Sequence, residues 1–568
     1  MQNHVYIISK RLEEFGVSHA IICPGSRSAP LVYAFANSKK IKCHSVIDER
    51  SAGYIALGMA QQLKKPVALI CTSGTASLNF FPAIAEAYFQ RVPLIVITAD
   101  RPPELINMQD GQMIFQKAVY GKHVLASFET PCYNQEKTVY FETEKIVADA
   151  CAIATGNVLG PVHINVPLSE PLYPTKNEKP FLPANKNDLL QRGHLVKRSG
   201  KLENQIKNIS NAFLQSKKTL IVVGQNTDNN FVFSYLLNLG RLSDVVIIAD
   251  VLSNAHGVCY APMFDVILSK CDQDILDELR PDLLISFGGN VLSKSLTSWL
   301  KKQKPKHHFR IQPEPKPIDT FKNITECIYE KPENILRVLS LLKKENVKEE
   351  NSFKNSWTKP NAEAKKLVSG FLKNSLFSEF QAANIVLESV PSACNVHLAN
   401  SSIIRYASLG GKLHPSWVIS GNRGTSGIDG CTSSAVGASV VNNKLTVLFT
   451  GDIAFLYDKN ALWNNLISDN LRVIVFNNFG GGIFQIIDGP SSQKNFVKYF
   501  TTPHNHTVKN IVKESGLDYY FCNDALSLKK ALTAFFKPTK KSAVLEIGFN
   551  MNESSAIFNS FKKIKLTK

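Results

Sequence analysis

Two polar segments in the last third of the chain place oxygen donors directly after short apolar runs. Gly451-Asp452 follows the run TVLFT, and Asn478 comes 26 positions after Asp452, in the pair Asn477-Asn478 that directly follows a second run, RVIVF. Runs of this kind predict strands buried on both faces of a parallel sheet, which binds ligands at the carboxyl ends of its strands. A carboxylate, an amide oxygen and a backbone carbonyl are hard donors that suit Mg²⁺ and its phosphate ligands. Gly-Asp alone is most simply a turn, but the spaced pair predicts a metal–phosphate site.

The spacing of this pair resembles the metal–diphosphate motif of thiamine diphosphate enzymes, which typically starts Gly-Asp and ends Asn-Asn. The resemblance implies thiamine diphosphate as cofactor, with Mg²⁺ or Mn²⁺ held by Asp452, Asn478 and the backbone carbonyl of Gly480. It also implies a glutamate that hydrogen-bonds N1′ of the aminopyrimidine, so that the cofactor's own 4′-imino group takes the C2 proton. Glu49 follows a short apolar segment and precedes a helical pattern, where this catalytic, cofactor-binding residue is expected. The alternative for Glu49 is a surface ion pair with Arg50.

Five longer motifs narrow the resemblance to one family. They are CPGSRSAPL at 23–31, DERSAG at 48–53, TADRPPEL at 98–105, GPVHINVP at 160–167 and NRGTSGIDG at 422–430. Together they resemble the 2-succinyl-5-enolpyruvyl-6-hydroxy-3-cyclohexene-1-carboxylate (SEPHCHC) synthases of menaquinone biosynthesis. The resemblance implies a transferase that decarboxylates 2-oxoglutarate and adds the succinyl-semialdehyde carbanion 1,4 to isochorismate, releasing CO₂.

Both substrates of that family carry two carboxylates, so their pocket must hold several anions, and the planar fork of arginine suits this task. Positions that match the family's motifs imply the substrate-binding residues Ser26, Arg27, Arg101, Gln112, Lys294, Ser401, Arg405 and Arg423. Ile428 matches the apolar residue expected under the bent cofactor. Two positions depart from some family members: Ser295 replaces an arginine and Gly111 an asparagine, which bears on the isochorismate contacts. The alternative for each arginine is a structural salt bridge.

Further apolar runs separated by amphipathic helices predict the elements that position these residues. The helical spacing of apolar residues over 51–63 and the proline at 82, which suits a first helical turn, are examples. Alternating strands and helices predict an α/β fold of three doubly wound domains, the pyrimidine, central and diphosphate domains of the superfamily. We expect these domains at 1–175, 195–345 and 368–568, with linkers at 174–200 and 343–366. The runs predicted as strands are 67–71, 94–98, 220–223, 245–250, 283–287, 446–449, 472–476 and 543–547.

Composition excludes several other classes of protein. The 568 residues are 44% apolar and 20% charged, as in globular proteins, and no apolar stretch is long enough to span a membrane. The eleven cysteines are scattered without a C-x-x-C pair, so neither a zinc site nor a disulfide framework is predicted. The first twelve residues do not resemble a secretory signal, and we expect a cytoplasmic protein. The motifs of P-loop, dinucleotide-binding, α/β-hydrolase and zincin sites are absent.

Two alternative functions stay open at this point. The chain could be another thiamine diphosphate enzyme, such as an acetolactate synthase-like protein or a 2-oxoacid decarboxylase, although several arginines disfavour small monoanionic substrates. It could also be a non-enzymatic binder, since 65 basic against 47 acidic residues give a net charge of +18. The lysines are spread along the chain and no recognition motif is present, so no nucleic-acid partner is expected. In this superfamily the pyrimidine domain of one subunit faces the diphosphate domain of another, which implies a homodimer or a tetramer.

Overall fold

The structure, a computed structural model, describes residues 4–133, 136–173, 200–226, 230–342 and 352–566. These residues form three parallel β-sheets flanked by helices, which confirms the predicted α/β class with three doubly wound domains. The predicted linker at 174–200 lies outside the described residues apart from Gly200, where a helix begins. No described helix has the length and apolar character needed to cross a bilayer.

The first sheet has six parallel strands in the order β2-β1-β3-β4-β6-β5. Its strands are β1 His19–Ile22, β2 Lys42–Ser45, β3 Val67–Cys71, β4 Leu94–Asp100, β5 Ser127–Glu129 and β6 Val162–Pro167. The helices around it are α1 His4–Glu14, α2 Ala29–Ala36, α3 Glu49–Leu63, α4 Thr75–Asn79, α5 Phe81–Gln90 and α6 Lys137–Ala154. Every residue of β3 and β4 is buried, because helices cover both faces of the sheet.

The second sheet has five parallel strands in the order β11-β10-β9-β7-β8. Its strands are β7 Thr219–Val223, β8 Val245–Ala249, β9 Leu283–Phe287, β10 His307–Gln312 and β11 Glu326–Tyr329. The helices are α7 Gly200–Gln215, α8 Asn230–Leu239, α9 Phe264–Lys270, α10 Gln273–Glu278, α11 Lys294–Gln303 and α12 Pro332–Leu341. The buried apolar runs of β7, β8 and β9 form the centre of this domain.

A charged stretch that the sequence predicts as a linker, 343–366, is helical from Phe353 onwards. Helix α13 spans Phe353–Asn374 and begins at Ser352, whose side chain accepts a hydrogen bond from the backbone N–H of Asn355. Its buried apolar residues lie at helical spacing and join the hydrophobic core: Phe353, Trp357, Ala364, Val368 and Leu372. The linker prediction is therefore wrong for this part, because lysines on the outer face obscure the apolar stripe.

The third sheet has six parallel strands in the order β13-β12-β14-β15-β17-β16. Its strands are β12 Asn395–Leu398, β13 Val418–Ser420, β14 Thr446–Gly451, β15 Leu471–Asn477, β16 Asp518–Cys522 and β17 Ala543–Gly548. The helices are α14 Glu379–Ser389, α15 Ser402–Gly410, α16 Cys431–Val440, α17 Asp452–Tyr457, α18 Ile483–Ile486, α19 Lys509–Glu514, α20 Ala525–Phe535 and α21 Met551–Lys563. Single 3₁₀ turns lie at Pro103–Leu105, Gly121–His123, His256–Val258, Lys459–Ala461 and Pro490–Ser492, and a π-helical turn at Val497–Thr501.

The first and third sheets share one strand order. When the strands are renumbered within each sheet, both orders read 2-1-3-4-6-5. In each sheet the second strand leads into a helix, α3 in the first and α16 in the third. Loops that follow equivalent strands therefore occupy equivalent places in the two domains, and the equivalent helices α3 and α16 pack against each other.

The contact between α3 and α16 is made backbone to backbone at two glycines. A Cβ atom added at Gly58 would lie 2.0 Å from the carbonyl oxygen of Ser434, and one added at Gly437 would lie 2.0 Å from that of Ile55. No side chain fits into these distances, so only glycine permits the contact. One hydrophobic core surrounds it and takes residues from both sheets, among them Leu69, Val96, Leu448 and Val473.

We expect Gly58→Ala to destabilise the protein strongly, because its methyl group would push α3 away from α16. The cost is about 1–3 kcal/mol or more, the range for overpacking a well-packed interior. Gly370→Ala is the matched control: it also lies inside a helix, but nothing is within 4 Å of its added Cβ. That change should stabilise α13 by about 0.5–1 kcal/mol. Urea unfolding measures both, and equal midpoints for the two variants would contradict the proposed contact.

Candidate active site

The residues predicted to form the site lie at or beyond the carboxyl ends of strands. In the first domain they are Ser26, Arg27, Glu49, Arg101 and Gln112. In the third domain they are Ser401, Arg405, Arg423, Ile428, Asp452, Asn478 and Gly480. Lys294 begins α11, after strand β9 of the second sheet. This is the edge at which parallel α/β sheets bind ligands.

The predicted metal ligands of the third domain converge on one point. Asp452 and Asn478 are buried, and Oδ2 of Asp452 and Oδ1 of Asn478 both accept a hydrogen bond from the N–H of Gly480, at 2.9 and 3.2 Å. Nε2 of His504 lies 3.2 Å from the same carboxylate oxygen. A carboxylate and an amide oxygen beside glycine backbone form a hard donor set that fits Mg²⁺. The described residues contain no group of three or more His, Cys, Asp or Glu that could hold a metal.

Glu379, which the sequence analysis missed, fixes the orientation of Asn478. Nδ2 of Asn478 donates to Oε1 of Glu379 at 3.0 Å, and the hydroxyl of Ser554 donates to Oε2 at 3.2 Å. Burial raises the pKa of Glu379 to about 7, and the negative charge of Asp452 adds to the effect. Because the amide nitrogen of Asn478 is engaged by Glu379, its oxygen is left to point towards Gly480.

Glu49 opens α3 and lines a cleft between the first and third domains. Asp48 caps the helix, accepting a hydrogen bond from the N–H of Ser51 at 3.0 Å. The cleft has a volume of about 430 Å³ and is lined by Ile47, Asp48, Glu49, Arg50, Asn79, Asn460 and Trp463. Arg50 donates to the carbonyl of Tyr457 at 2.7 Å and lies over its ring, and no ion pair between Arg50 and Glu49 is found among the described residues.

Glu49 and the metal cradle belong to different domains of the chain. In the part of the chain that the structure describes, no hydrogen bond or ion pair joins Glu49 to Asp452 or Asn478. The segment of the third domain that faces Glu49 contains Asn460 and Trp463, beyond the end of α17. Asp452, Asn478 and Gly480 are not among the residues that line the Glu49 cleft.

The arginines of the first domain lie beside a carboxylate that the sequence analysis missed, Asp110. Arg101 forms an ion pair with Asp110 and donates to the hydroxyl of Ser73 at 2.9 Å and to the carbonyl of Gln112 at 3.3 Å. The hydrogen bond from Arg101, with smaller help from the charge of Arg27, lowers the pKa of Asp110. An exposed carboxylate already occupies this cationic cluster, which shows that the cluster can hold one.

Among the described residues, neither arginine of the third-domain site, Arg405 or Arg423, forms an ion pair with a carboxylate, although the charges of Asp250 and Glu86 raise the pKa of Arg423. Arg405 donates to the carbonyl of Ser401, and Arg423 donates to Oδ1 of Asn400 at 3.0 Å. Burial lowers the pKa of both guanidinium groups, and the charge of Arg423 lowers that of Arg405 further. Two partly buried cations that repel each other form a site that an anion would stabilise. Asn290, in the loop that leads to Lys294, donates to the carbonyl of Arg423 at 3.0 Å.

Comparison with known proteins decides the family. Residues 3–120 match the family model "Thiamine pyrophosphate enzyme, N-terminal TPP binding domain", and 190–395 match "Middle domain of thiamine pyrophosphate". The SEPHCHC synthase of Cytophaga hutchinsonii is 38% identical over 98% of this chain and 98% of its own. That of Flavobacterium psychrophilum is 38% identical over 94% and 93%. The chain belongs to the SEPHCHC synthase family.

Solved structures confirm the fold of this family member. A crystal structure of benzoylformate decarboxylase from Polynucleobacter necessarius covers 96% of the chain with a TM-score of 0.72, at 15% sequence identity. That likeness concerns the fold alone. The family assignment confirms the resemblance read from the sequence motifs, and the first model match supports thiamine diphosphate as the cofactor.

Four site loops of this SEPHCHC synthase family member contain non-glycine residues in the left-handed region. Their φ angles are +81° at Ser401, +55° at Gln112, +65° at Ser426 and +63° at Phe479. Such conformations cost of order 1–3 kcal/mol each and persist where the surroundings determine them, commonly at functional sites. Two of the four, Ser401 and Gln112, are residues that the sequence analysis predicted to bind substrate.

We expect Ser401→Gly to raise the free energy of unfolding by about 1 kcal/mol, because glycine adopts φ of +81° without a steric penalty. Turnover should fall, since the hydroxyl is lost and the loop is freer. Ser402→Gly is the neighbouring control: this residue is the first of α15, where glycine costs up to about 1 kcal/mol. Thermal unfolding of the two variants checks the sign, and a similar loss of stability in both would show that Ser401 stores no strain.

Proposed function

We propose that this chain catalyses the reaction for which its relatives are named, forming SEPHCHC from 2-oxoglutarate and isochorismate with release of CO₂. The observation that carries the proposal is the convergence of Asp452 and Asn478 on Gly480 in a chain 38% identical, along almost its whole length, to SEPHCHC synthases. The two arginine clusters support substrates that carry more than one carboxylate.

The donor set of the third domain fits a magnesium diphosphate group. Asp452, Asn478 and the carbonyl of Gly480 would hold Mg²⁺, or Mn²⁺ in its place, and the metal would bind the diphosphate of the cofactor. When bound, thiamine diphosphate supplies the electron sink that decarboxylation of a 2-oxo acid needs. Glu49 would share a proton with the pyrimidine ring, and Ile428 would support the ring system from below.

The remaining residues bind and orient the two anionic substrates. Arg405 and Arg423 would compensate a carboxylate in the third domain, with Ser401 and Lys294 beside them. Ser26, Arg27, Arg101 and Gln112 would do so in the first domain, where Asp110 now pairs with Arg101. A bound carboxylate would take the place of Asp110.

We further propose a homodimer, or a tetramer of such dimers, in which each site combines Glu49 of one subunit with Asp452 of the other. The third-domain residues that line the Glu49 cleft are Asn460 and Trp463 rather than Asp452, Asn478 or Gly480, which supports this arrangement. Large apolar side chains are exposed around the Glu49 cleft, with Ile47 58% and Trp463 53% accessible, as expected for a surface that a second copy covers.

The proposed domain bounds are 1–175, 195–345 and 368–568. The eleven cysteines are unpaired, which suits a reducing compartment and supports a cytoplasmic location.

Turnover with 2-oxoglutarate and isochorismate should require both thiamine diphosphate and a divalent metal. Removing the metal with a chelator should abolish CO₂ release, and Mg²⁺ or Mn²⁺ should restore it. Asp452→Asn should lower the rate at least 100-fold, because the metal loses its anionic ligand. Pyruvate is the control substrate: efficient release of CO₂ from pyruvate, with none from 2-oxoglutarate, would replace the proposal with a 2-oxoacid decarboxylase or an acetolactate synthase-like enzyme.

Mixing two inactive variants tests the shared site. Glu49→Ala and Asp452→Ala chains should each be inactive alone, whereas a hetero-dimer has one site with both residues intact. Random association makes about half of the dimers mixed, with one working site of two, so about a quarter of the wild-type rate should return. If subunits exchange, as mass spectrometry would show, and no activity returns, the site does not lie between subunits.

A further inference from the structure

Glu86 is a fully buried carboxylate that the proposed site does not use. It lies on α5 of the first domain, with no exposed surface. No lysine, arginine or histidine within the described residues forms an ion pair with it, although a buried charge needs strong compensation. Its hydrogen bonds come from neutral donors, and its charge raises the pKa of Arg423 without forming an ion pair with it.

Those donors belong to a loop of the third domain. Oε1 of Glu86 accepts from the N–H of Gly424 at 2.6 Å, and Oε2 accepts from both the N–H and the hydroxyl of Thr425, each at 2.6 Å. The amide of Gln90, one turn further along α5, donates to Oε1 as well. Three of the four donors are therefore supplied across a domain boundary. Hydrogen bonds to a charged acceptor are the strong ones.

The same loop, 422–430, carries Arg423 directly before the two anchored residues. The guanidinium of Arg423 donates to Asn400, while its Nε is buried without a hydrogen-bond partner among the described residues. Its backbone carbonyl accepts from Asn290 of the second domain. The backbone around Arg423 is thus fixed from two other domains.

Gln90 extends this anchoring into a junction of all three domains. Its Nε2 donates to the carbonyl of Gly421 at 3.0 Å, just before the loop. Its Oε1 accepts from Gln225, which follows β7 of the second domain, at 2.8 Å. Glu86 and Gln90 therefore place the start of the loop relative to both neighbouring domains.

We propose that Glu86 is a positioning residue for the anion site: by holding Gly424 and Thr425 it fixes the loop so that Arg423 meets a carboxylate of the dicarboxylate substrate. The inference rests on the proposed function, since it assumes that Arg423 binds substrate. Glu86 itself touches neither substrate nor cofactor. If its role were only structural, its loss would lower stability without changing how the loop presents Arg423.

Hydrogen–deuterium exchange and kinetics of the holoenzyme distinguish these roles. In Glu86→Gln one acceptor oxygen becomes an N–H group that faces other N–H donors, so the amides of 421–430 should exchange at least tenfold faster. KM for 2-oxoglutarate should rise about tenfold or more, with a smaller fall in kcat.

Arg472→Met is the control for stability: Arg472 is buried and donates to backbone carbonyls, among them Phe535 and Asp469, at the amino end of β15. It should lower the melting temperature and leave both loop exchange and KM unchanged.

A second pair of variants keeps the test decisive if Glu86→Gln does not fold. Thr425→Ser retains the hydroxyl donor and should behave like the wild type, whereas Thr425→Val removes it and should raise KM and loop exchange. Equal KM and exchange in this pair, or a destabilised Glu86→Gln with wild-type KM and exchange, would overturn the proposal.

Arg423→Ala is measured alongside, and unchanged KM values there would also overturn it. A wild type without turnover would defeat the proposed function, whereas an active wild type with unaffected variants defeats only this inference.

Discussion

The backbone contact between α3 and α16 is the constraint on which the arrangement of the site depends. Because Gly58 and Gly437 allow no side chain between the helices, the first and third domains are fixed relative to each other along this line. α3 begins at Glu49, and α16 begins directly after the loop 422–430. The hydroxyl of Tyr54 in α3 donates to Asp429 of that loop at 2.6 Å. One helix contact therefore sets the positions of two groups of site residues.

The first and third domains share one strand order but have different polar side chains at equivalent positions. After the first strand lie Ser26 and Arg27 in one domain and Ser401 in the other. The equivalent helix begins at Glu49 in the first domain, and in the third the loop before it contains Arg423 and Ile428. After the fourth strand lie Arg101 in the first and Asn478 in the third. The shared fold determines where these side chains lie, and the loop sequences determine which side chains they are and so which ligands we propose for them.

Local patterns were sufficient to predict the fold and part of the site. The eight apolar runs all correspond to strands, and Asp452 and Asn478 were found because each directly follows one. Strands such as β2, with the polar sequence KCHS, have no such pattern because they lie at a sheet edge.

Glu379 could not be found, since its partner Asn478 is 99 residues away and only the fold brings them together. The same holds for Glu86, which in sequence is one acidic residue in an amphipathic helix and is buried because its donors come from 338 and 339 residues further along the chain. Whether the predicted site residues bind cofactor and substrates as expected stays a prediction.

The buried charged side chains of the core are stabilised differently from the arginines of the proposed site. Glu86 is satisfied by N–H and O–H dipoles, and Lys270 donates to three carbonyls at the end of α21, those of Phe561, Lys562 and Ile564. Arg472 is satisfied by carbonyls in the same way. Arg405 and Arg423 differ, because within the described part of the chain each donates to one neutral acceptor, and the charge of Arg423 acts against that of Arg405. A folded chain bears that repulsion at a cost in stability, and a dianionic substrate that enters between them would remove it. We therefore propose that relief of this repulsion contributes to the affinity for dianionic substrates.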